Sequence, residues 1–265
     1  MRCRRDSVAI VLLAALAAAN AGAQDATEPY DRDEALRMSQ AALGGVIGNH
    51  SLTMRSGEAL SMRELRGRPL IVSMIFTDCG HICPMLTQHL GNVVEIAREA
   101  LGDDSFNVAT VGFDTPVDTS ERMAKFAADS GVDDRNWYFL SSDPRTIHAL
   151  SSELGFSYYA LPKGFDHITQ TTVIDAEGRI YRQVYGQRFE TPALVEPLKE
   201  LVYNTPVDAG FVDQWIDKLQ LFCTVYDPDS GRYRFDSSIF VSIIVGLMCL
   251  GAIALFILSH WREAR

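Results

Sequence analysis

The sequence predicts an α/β sandwich with a mixed central sheet, followed by one C-terminal transmembrane helix. Three observations carry this. Between residues 44 and 203, short apolar and β-branched runs alternate with segments of helical periodicity. A 20-residue run without a charge, 239–258, is long enough to cross a bilayer. The chain also opens with the pattern of an export signal, which places the intervening domain outside the cytoplasm.

At the N-terminus, Arg2, Arg4 and Arg5 form a basic start, residues 8–19 are unbroken apolar, and Ala21-Gly22-Ala23 supplies the small residues of a cleavage site. The 12-residue apolar run falls short of the roughly 20 a spanning helix needs, so residues 1–23 read as a signal peptide. The Arg4-Arg5 pair also raises twin-arginine export. Residues 24–43, polar and acidic at first, form a leader or linker. The run 69–76 (PLIVSMIF) is a strand buried on both faces. Residues 84–101 are a helix, with Leu86, Leu90, Val93, Val94, Ala97 and Leu101 at helical spacing. A strand at 106–113, a helix at 119–130, a strand at 137–140 and a helix at 144–154 continue the alternation. The last helix opens with Pro144, whose missing N–H costs nothing there. Residues 170–175 and 180–185 form a hairpin around Ala176-Glu177-Gly178, and 191–203 is the final helix. This order resembles a thioredoxin-like sandwich.

Residues 204–238 are a juxtamembrane connector with a helical stretch at 211–221 and the turn-rich YDPDSGRY. Residues 239–260 then form the transmembrane helix and 261–265 a cytoplasmic tail, with Trp261 at the interface. Basic residues flank both ends of the span, so export of the N-terminus fixes its orientation. The resulting expectation is a bacterial inner-membrane protein with a single C-terminal span and its folded domain in the periplasm.

Composition narrows the function. The formal net charge of −10 leaves no basic footprint for nucleic acid, which directs attention to a protein, a metal ion or a membrane as partner. Of the five cysteines, Cys3 belongs to the signal and Cys249 to the apolar run. Cys79, Cys83 and Cys223 remain, and an odd number in an oxidising setting argues for chemistry over a simple disulfide framework.

The central motif is Phe76-Thr77-Asp78-Cys79-Gly80-His81-Ile82-Cys83-Pro84, at the junction of the first buried strand and the first long helix. A helix N-terminus favours negative charge, so a thiolate there is stabilised. Three residues separate the cysteines, where disulfide oxidoreductases usually have two. An i, i+4 pair can close a disulfide, and it can also grip a soft ion such as Cu(I), completed by a ligand from elsewhere in the fold.

The run Phe-Thr-x-Cys-x-x-Ile-Cys-Pro at 76–84 resembles the Sco/SenC family of copper-binding assembly factors for respiratory cytochrome c oxidase. Asp114-x-x-x-Asp118-Thr119 is similar to that family's aspartate motif, and Asp166-His167 to its Asp-His motif. The likeness covers residues 44–203. It implies that Cys79, Cys83 and His167 bind Cu(I) or Cu(II), and that the cysteines cycle between dithiol and disulfide. It implies a copper-bearing oxidase subunit as client, with another copper chaperone or a thiol–disulfide oxidoreductase as a further partner. His81, Cys223, Asp114, Asp118 and Asp166 are additional candidates near the metal. The chain departs from the family at Gly80 and His81, where relatives carry Pro and Asp, and in its C-terminal position for the anchor.

Other readings stay open. Cys223 fits a resolving thiol, an extra copper ligand, an intermolecular disulfide or a small buried residue. Asp78, Asp114 and Asp118 fit turn-shaping roles, and His50, His89 and His148 read as surface or packing residues. A periplasmic thiol–disulfide reductase, or a redox sensor built on one thiolate, would use Cys79 and Cys83 without copper delivery.

Overall fold

A computed structural model describes residues 30–132, 134–204, 224–227, 230, 232–235, 241–242, 244–251 and 253. The chain divides into two units, 1–31 and 32–265, and the elements below belong to the second. The signal peptide expected at 1–23 lies outside the described residues, as do Cys3 and Cys223.

Seven strands form one sheet: β1 (Ser51–Met54), β2 (Ala59–Ser61), β3 (Leu70–Ile75), β4 (Asn107–Gly112), β5 (Trp137–Ser141), β8 (Gln170–Ile174) and β9 (Ile180–Tyr185). Their spatial order is β2-β1-β5-β4-β3-β8-β9. The three central strands β3, β4 and β5 are parallel, and the remaining pairings are antiparallel. Parallel neighbours need a crossover, and helices α2 (Ile82–Leu101) and α3 (Ser120–Ser130) supply the two required. Every residue of β3 and β4 is buried, as a strand covered on both faces demands. The mixed sheet expected from the sequence is therefore present, with its apolar runs at its centre.

Helix α2 packs on both α3 and α5 (Thr191–Asn204). It turns Leu86, Leu90, Val93, Val94 and Ala97 into the core, the stripe read from their spacing. Helix α4 (Pro144–Glu153) is capped by Asp143, whose Oδ1 accepts the amides of Arg145 and Thr146 at 2.9 and 3.1 Å. The loop after α4 is fixed by the Leu154 carbonyl, which accepts from the side-chain amides of Gln170 and Gln183 at 3.0 and 3.1 Å.

Four pieces add to the expected order. Helix α1 (Arg32–Ala41) lies within the segment read as a leader, and Ser39 Oγ hydrogen-bonds the Tyr185 hydroxyl at 2.7 Å. The β1–β2 hairpin extends the sheet beyond β5. A separate two-stranded ladder, β6 (Tyr158–Ala160) and β7 (Phe165–His167), precedes β8. A hairpin of β10 (Thr224–Asp227) and β11 (Arg232–Phe235) lies within the segment read as the connector. It meets the α2 and α5 side of the domain through Tyr233, whose hydroxyl donates to Glu196 Oε1 at 2.8 Å, and through Arg232, 3.4 Å from Glu99.

The C-terminal expectation requires correction. Among the described residues no helix is long and apolar enough to cross a membrane. Within 239–260, helix is described only at 241–242, 244–251 and 253, and the other positions lie outside the described residues. The single C-terminal span, the inner-membrane location argued from it and the membrane as a partner through that helix all lose their support. An uncharged sequence run shows that a segment can enter lipid, and it does not establish a continuous helix across its whole length.

One close approach ties the end of β4 to the loop beyond it. A Cβ built on Gly112, the last residue of β4, would stand 2.6 Å from Asp118 Cβ and 2.9 Å from Met123 Sδ. Both neighbours are fully buried and cannot swing clear. Gly112→Ala is expected to destabilise the protein by about 1–3 kcal/mol, read as a lower urea midpoint at unchanged slope.

Candidate metal and thiol site

The site grows out of the end of β3. The chain leaves the sheet at Phe76, makes a turn through Thr77, Asp78, Cys79 and Gly80, and enters α2 at Ile82. The Cys79 amide donates to the Phe76 carbonyl at 3.2 Å, which closes the turn. The helix begins two residues earlier than its apolar spacing indicates, because Pro84 sits within the first turn, where no intrahelical donor is required of it. Cys83 therefore lies on that first turn, buried, with Cys79 half-buried beside it. Both are free thiols in this structure.

A helix needs acceptors for its first backbone N–H groups. His81 holds the cap position, and its side chain makes no capping bond. The Cys79 sulfur does so instead, accepting the Cys83 amide at 3.3 Å. The Cys83 thiol also donates to it, the largest influence in pulling Cys79 down to about 5, and the amides of Cys83, His81 and Ile82 add to the effect against the cost of burial. Cys83 moves the other way. Its proton is held by the Cys79 sulfur, and burial and the neighbouring negative charge push its titration well above the thiol range. The pair is thus a thiolate at Cys79 and a thiol at Cys83.

His167 comes from the other side of the site. It ends β7, pairs across the ladder with Tyr158 and is half-buried. Its ring packs against Phe76, Phe113 and Phe156 at centroid distances of 6.2, 5.5 and 5.4 Å. The ladder is seated by Gly164, where a Cβ would meet the Phe76 ring at 3.3 Å and where φ is +80°. His167 Nδ1 lies 2.9 Å from the Ile168 carbonyl. A carbonyl only accepts, so Nδ1 carries the proton and Nε2 is the basic nitrogen.

The aspartates occupy different positions. Asp118 is buried, and its oxygens accept the amide and hydroxyl of Thr77 and the amide of Asp114. Burial pushes its carboxyl above the usual carboxylate range, against the pull of those bonds. Burial also raises Asp114, which is partly exposed at the loop after β4. Asp78, exposed beside Cys79, pairs with Arg122 of α3. Asp166 is half-buried on β7, opposite Tyr159. His81 and Gly80 are exposed next to the cysteines.

The turn and the ladder therefore bring Cys79 and Cys83 together and hold His167 against Phe76, three residues before Cys79. Among the described residues no group of three or more His, Cys, Asp or Glu is close enough to hold a metal ion, so the three donors are not gathered as a cluster. Sequence reasoning did not single out Thr77, Arg122, Tyr158 or the phenylalanine bed. Thr77 and Phe76 were legible as motif letters, whereas Arg122 and Phe156 meet the site only through the fold.

In the reduced protein, alkylation of Cys79 is expected to follow a pH midpoint near 5, and Cys83→Ala to raise it toward the ordinary thiol range. The same depression links stability to pH. Between about pH 5 and 9 the unfolded chain holds a proton that folded Cys79 has lost, so the stability of the dithiol form rises with pH across that window. Chemical unfolding at pH 5 and pH 8 checks this.

Comparison with known proteins agrees with this fold. A family model described as SCO1/SenC matches residues 39–203. A SCO1 protein homolog of Bacillus subtilis (strain 168) is 23% identical over 138 residues, 50% of this chain and 69% of that protein. The structure of Bradyrhizobium japonicum ScoI with copper bound is 20% identical, with a TM-score of 0.51 over 59% of this chain and 99% of that one. BsSco is described as a member of the Sco family of cytochrome c oxidase assembly proteins, and a disulfide switch was identified in it. It is 18% identical, with a TM-score of 0.54 over 62% of this chain and 96% of its own. At these identities the structural likeness establishes the thioredoxin-like fold. With the family model spanning more than half of its length, the chain belongs to the SCO1/SenC family.

Proposed function

We propose that this protein is a copper-handling factor in the assembly of cytochrome c oxidase, binding the metal with Cys79, Cys83 and His167. The observation that carries the reading is the His167 tautomer. Its Nδ1 proton is engaged by the Ile168 carbonyl, which leaves Nε2 as a ligand nitrogen. Metal-binding histidines are typically oriented in this way. The donor chemistry fits copper as well: a thiolate, a thiol that loses its proton on binding, and an imidazole. Copper bound there would supply a soft, redox-active centre for transfer to a client.

The chain's own residues do the remaining work. The start of α2 holds the Cys79 sulfur as a thiolate, and the phenylalanine bed keeps the His167 side of the site apolar. The relatives' copper and oxidase roles support the copper-bearing oxidase subunit as client, with another copper chaperone or a thiol–disulfide oxidoreductase upstream. The contrast between thiolate and thiol favours one second reading, thiol–disulfide exchange that reduces client cysteines, with Cys79 attacking and Cys83 resolving.

Titration of the reduced protein with Cu(I) against a competing chelator separates the two. One tightly bound copper, weakened at least about tenfold by each of Cys79→Ala, Cys83→Ala and His167→Ala, supports copper handling. Affinity indifferent to His167→Ala leaves thiol–disulfide exchange as the function.

A further inference from the structure

A carboxylate with almost no exposure needs a reason to be where it is, because burying its charge is costly unless donors compensate. Asp118 is 1% exposed. Its Oδ1 accepts the Thr77 amide at 2.8 Å and the Thr77 hydroxyl at 2.7 Å, and its Oδ2 accepts the Asp114 amide at 2.9 Å. The loop that presents it is closed on itself: the amides of Val117 and Asp118 both donate to the Asp114 carbonyl, at 2.8 and 2.7 Å. Gly112 leaves the space that Asp118 fills. Two independent segments are thereby joined, the loop after β4 and the turn after β3, and Thr77 stands two residues before Cys79.

We infer that Asp118 is a positioning residue for the cysteine pair, clamping Thr77 so that the turn holds Cys79 beside Cys83. This rests on the reading that Cys79 and Cys83 are the working pair. The nearby Asp78–Arg122 contact is exposed and adds little to the clamp.

The clamp acts on disulfide closure. With an oxidised dithiol reagent as co-reactant, the Cys79–Cys83 bond forms, the reagent's S–S bond breaks, and two electrons and two protons pass from the cysteines to the reagent. Holding the turn removes conformational freedom from the dithiol form before the bond closes, so closure costs less entropy. Releasing it shifts the equilibrium toward the dithiol. A carboxylate can also act through its charge alone, and Thr77→Val separates the two effects. It removes one clamp bond, keeps the branched shape and leaves the carboxylate in place.

The full chain is equilibrated with mixtures of reduced and oxidised dithiothreitol and quenched by alkylation. The peptide carrying Cys79 and Cys83 is then weighed, so the other cysteines do not interfere. Thr77→Val is expected to lower the disulfide equilibrium constant about threefold. Asp118→Ala is expected to lower it about tenfold, a potential roughly 30 mV more positive. The double variant should fall no further than Asp118→Ala, as a shared interaction requires. A Thr77→Val constant equal to that of the parent, or fully additive losses, overturns the clamp. If Asp118→Ala does not fold, Thr77→Val decides alone. No copper enters the measurement, so a failed clamp with intact Cu(I) binding sinks this inference only. A working clamp without His167-dependent copper binding sinks only the copper reading.

Discussion

A helix leaves its first backbone N–H groups without partners, and at the start of α2 the atom that meets them is a sulfur. An ordinary side-chain cap contributes about 1 kcal/mol to a helix. Here the same contact also decides protonation, because a charged acceptor satisfies those donors better than a neutral thiol. The Cys83 amide and thiol both point at Cys79, so one sulfur takes the charge and the other keeps the proton. Neither cysteine could be exchanged for the other. Cys83 is buried on the helix beside the core-facing stripe of Leu86 and Leu90, whereas Cys79 is half-exposed on the turn.

That contact depends on the turn staying in place, and the sheet alone does not ensure it. Phe76 is the last residue of the apolar run that forms β3, and its ring is gripped by Phe113, Phe165 and His167. Beyond it the chain is polar and partly exposed, so hydrogen bonds must take over from apolar burial. The Asp118 carboxylate supplies three of them, each stronger than a neutral bond because the acceptor is charged. The site is thus held from three directions: the helix end, the β4 loop and the β6–β7 ladder. The first two bring the sulfurs together, and the third carries the imidazole.

Much of this was legible in the sequence, for physical reasons that vary by element. Residues 69–76 and 106–113 are buried on both faces, and burial on both faces leaves short, largely apolar runs without a charge, which stand out between the helical segments. The cysteine pair stood out by its spacing at a strand–helix junction, whereas Asp166-His167 was picked out only by its likeness to the family motif. The β6–β7 ladder was not, since three-residue strands are too short to show a period and one of them contains Asp166 and His167. Helix α1 was hidden by its charged, polar composition, with Ala35 and Ser39 as its buried residues. At the C-terminus the opposite error arose. A long apolar run was read as a spanning helix on composition alone, and among the described residues no such helix stands.

The departures from the family at Gly80 and His81 gain a physical meaning from this geometry. A Cβ added to Gly80 would meet nothing within 4 Å, and the His81 side chain makes no capping bond. Both are exposed, so neither fixes the position of the sulfurs. Cys79, Cys83, Thr77 and Asp118 are tied to one another, and substitution at any of them must be transmitted to the rest. Residues 80 and 81 are free to change without disturbing that set. They lie directly beside the thiolate, with the exposed Ile82 and Met85 next on the same turn of α2. Variation there alters the surface a partner meets and leaves the capped sulfur where it is. In this chain the motif therefore combines a part held by helix capping and a buried carboxylate with a part that only faces outward.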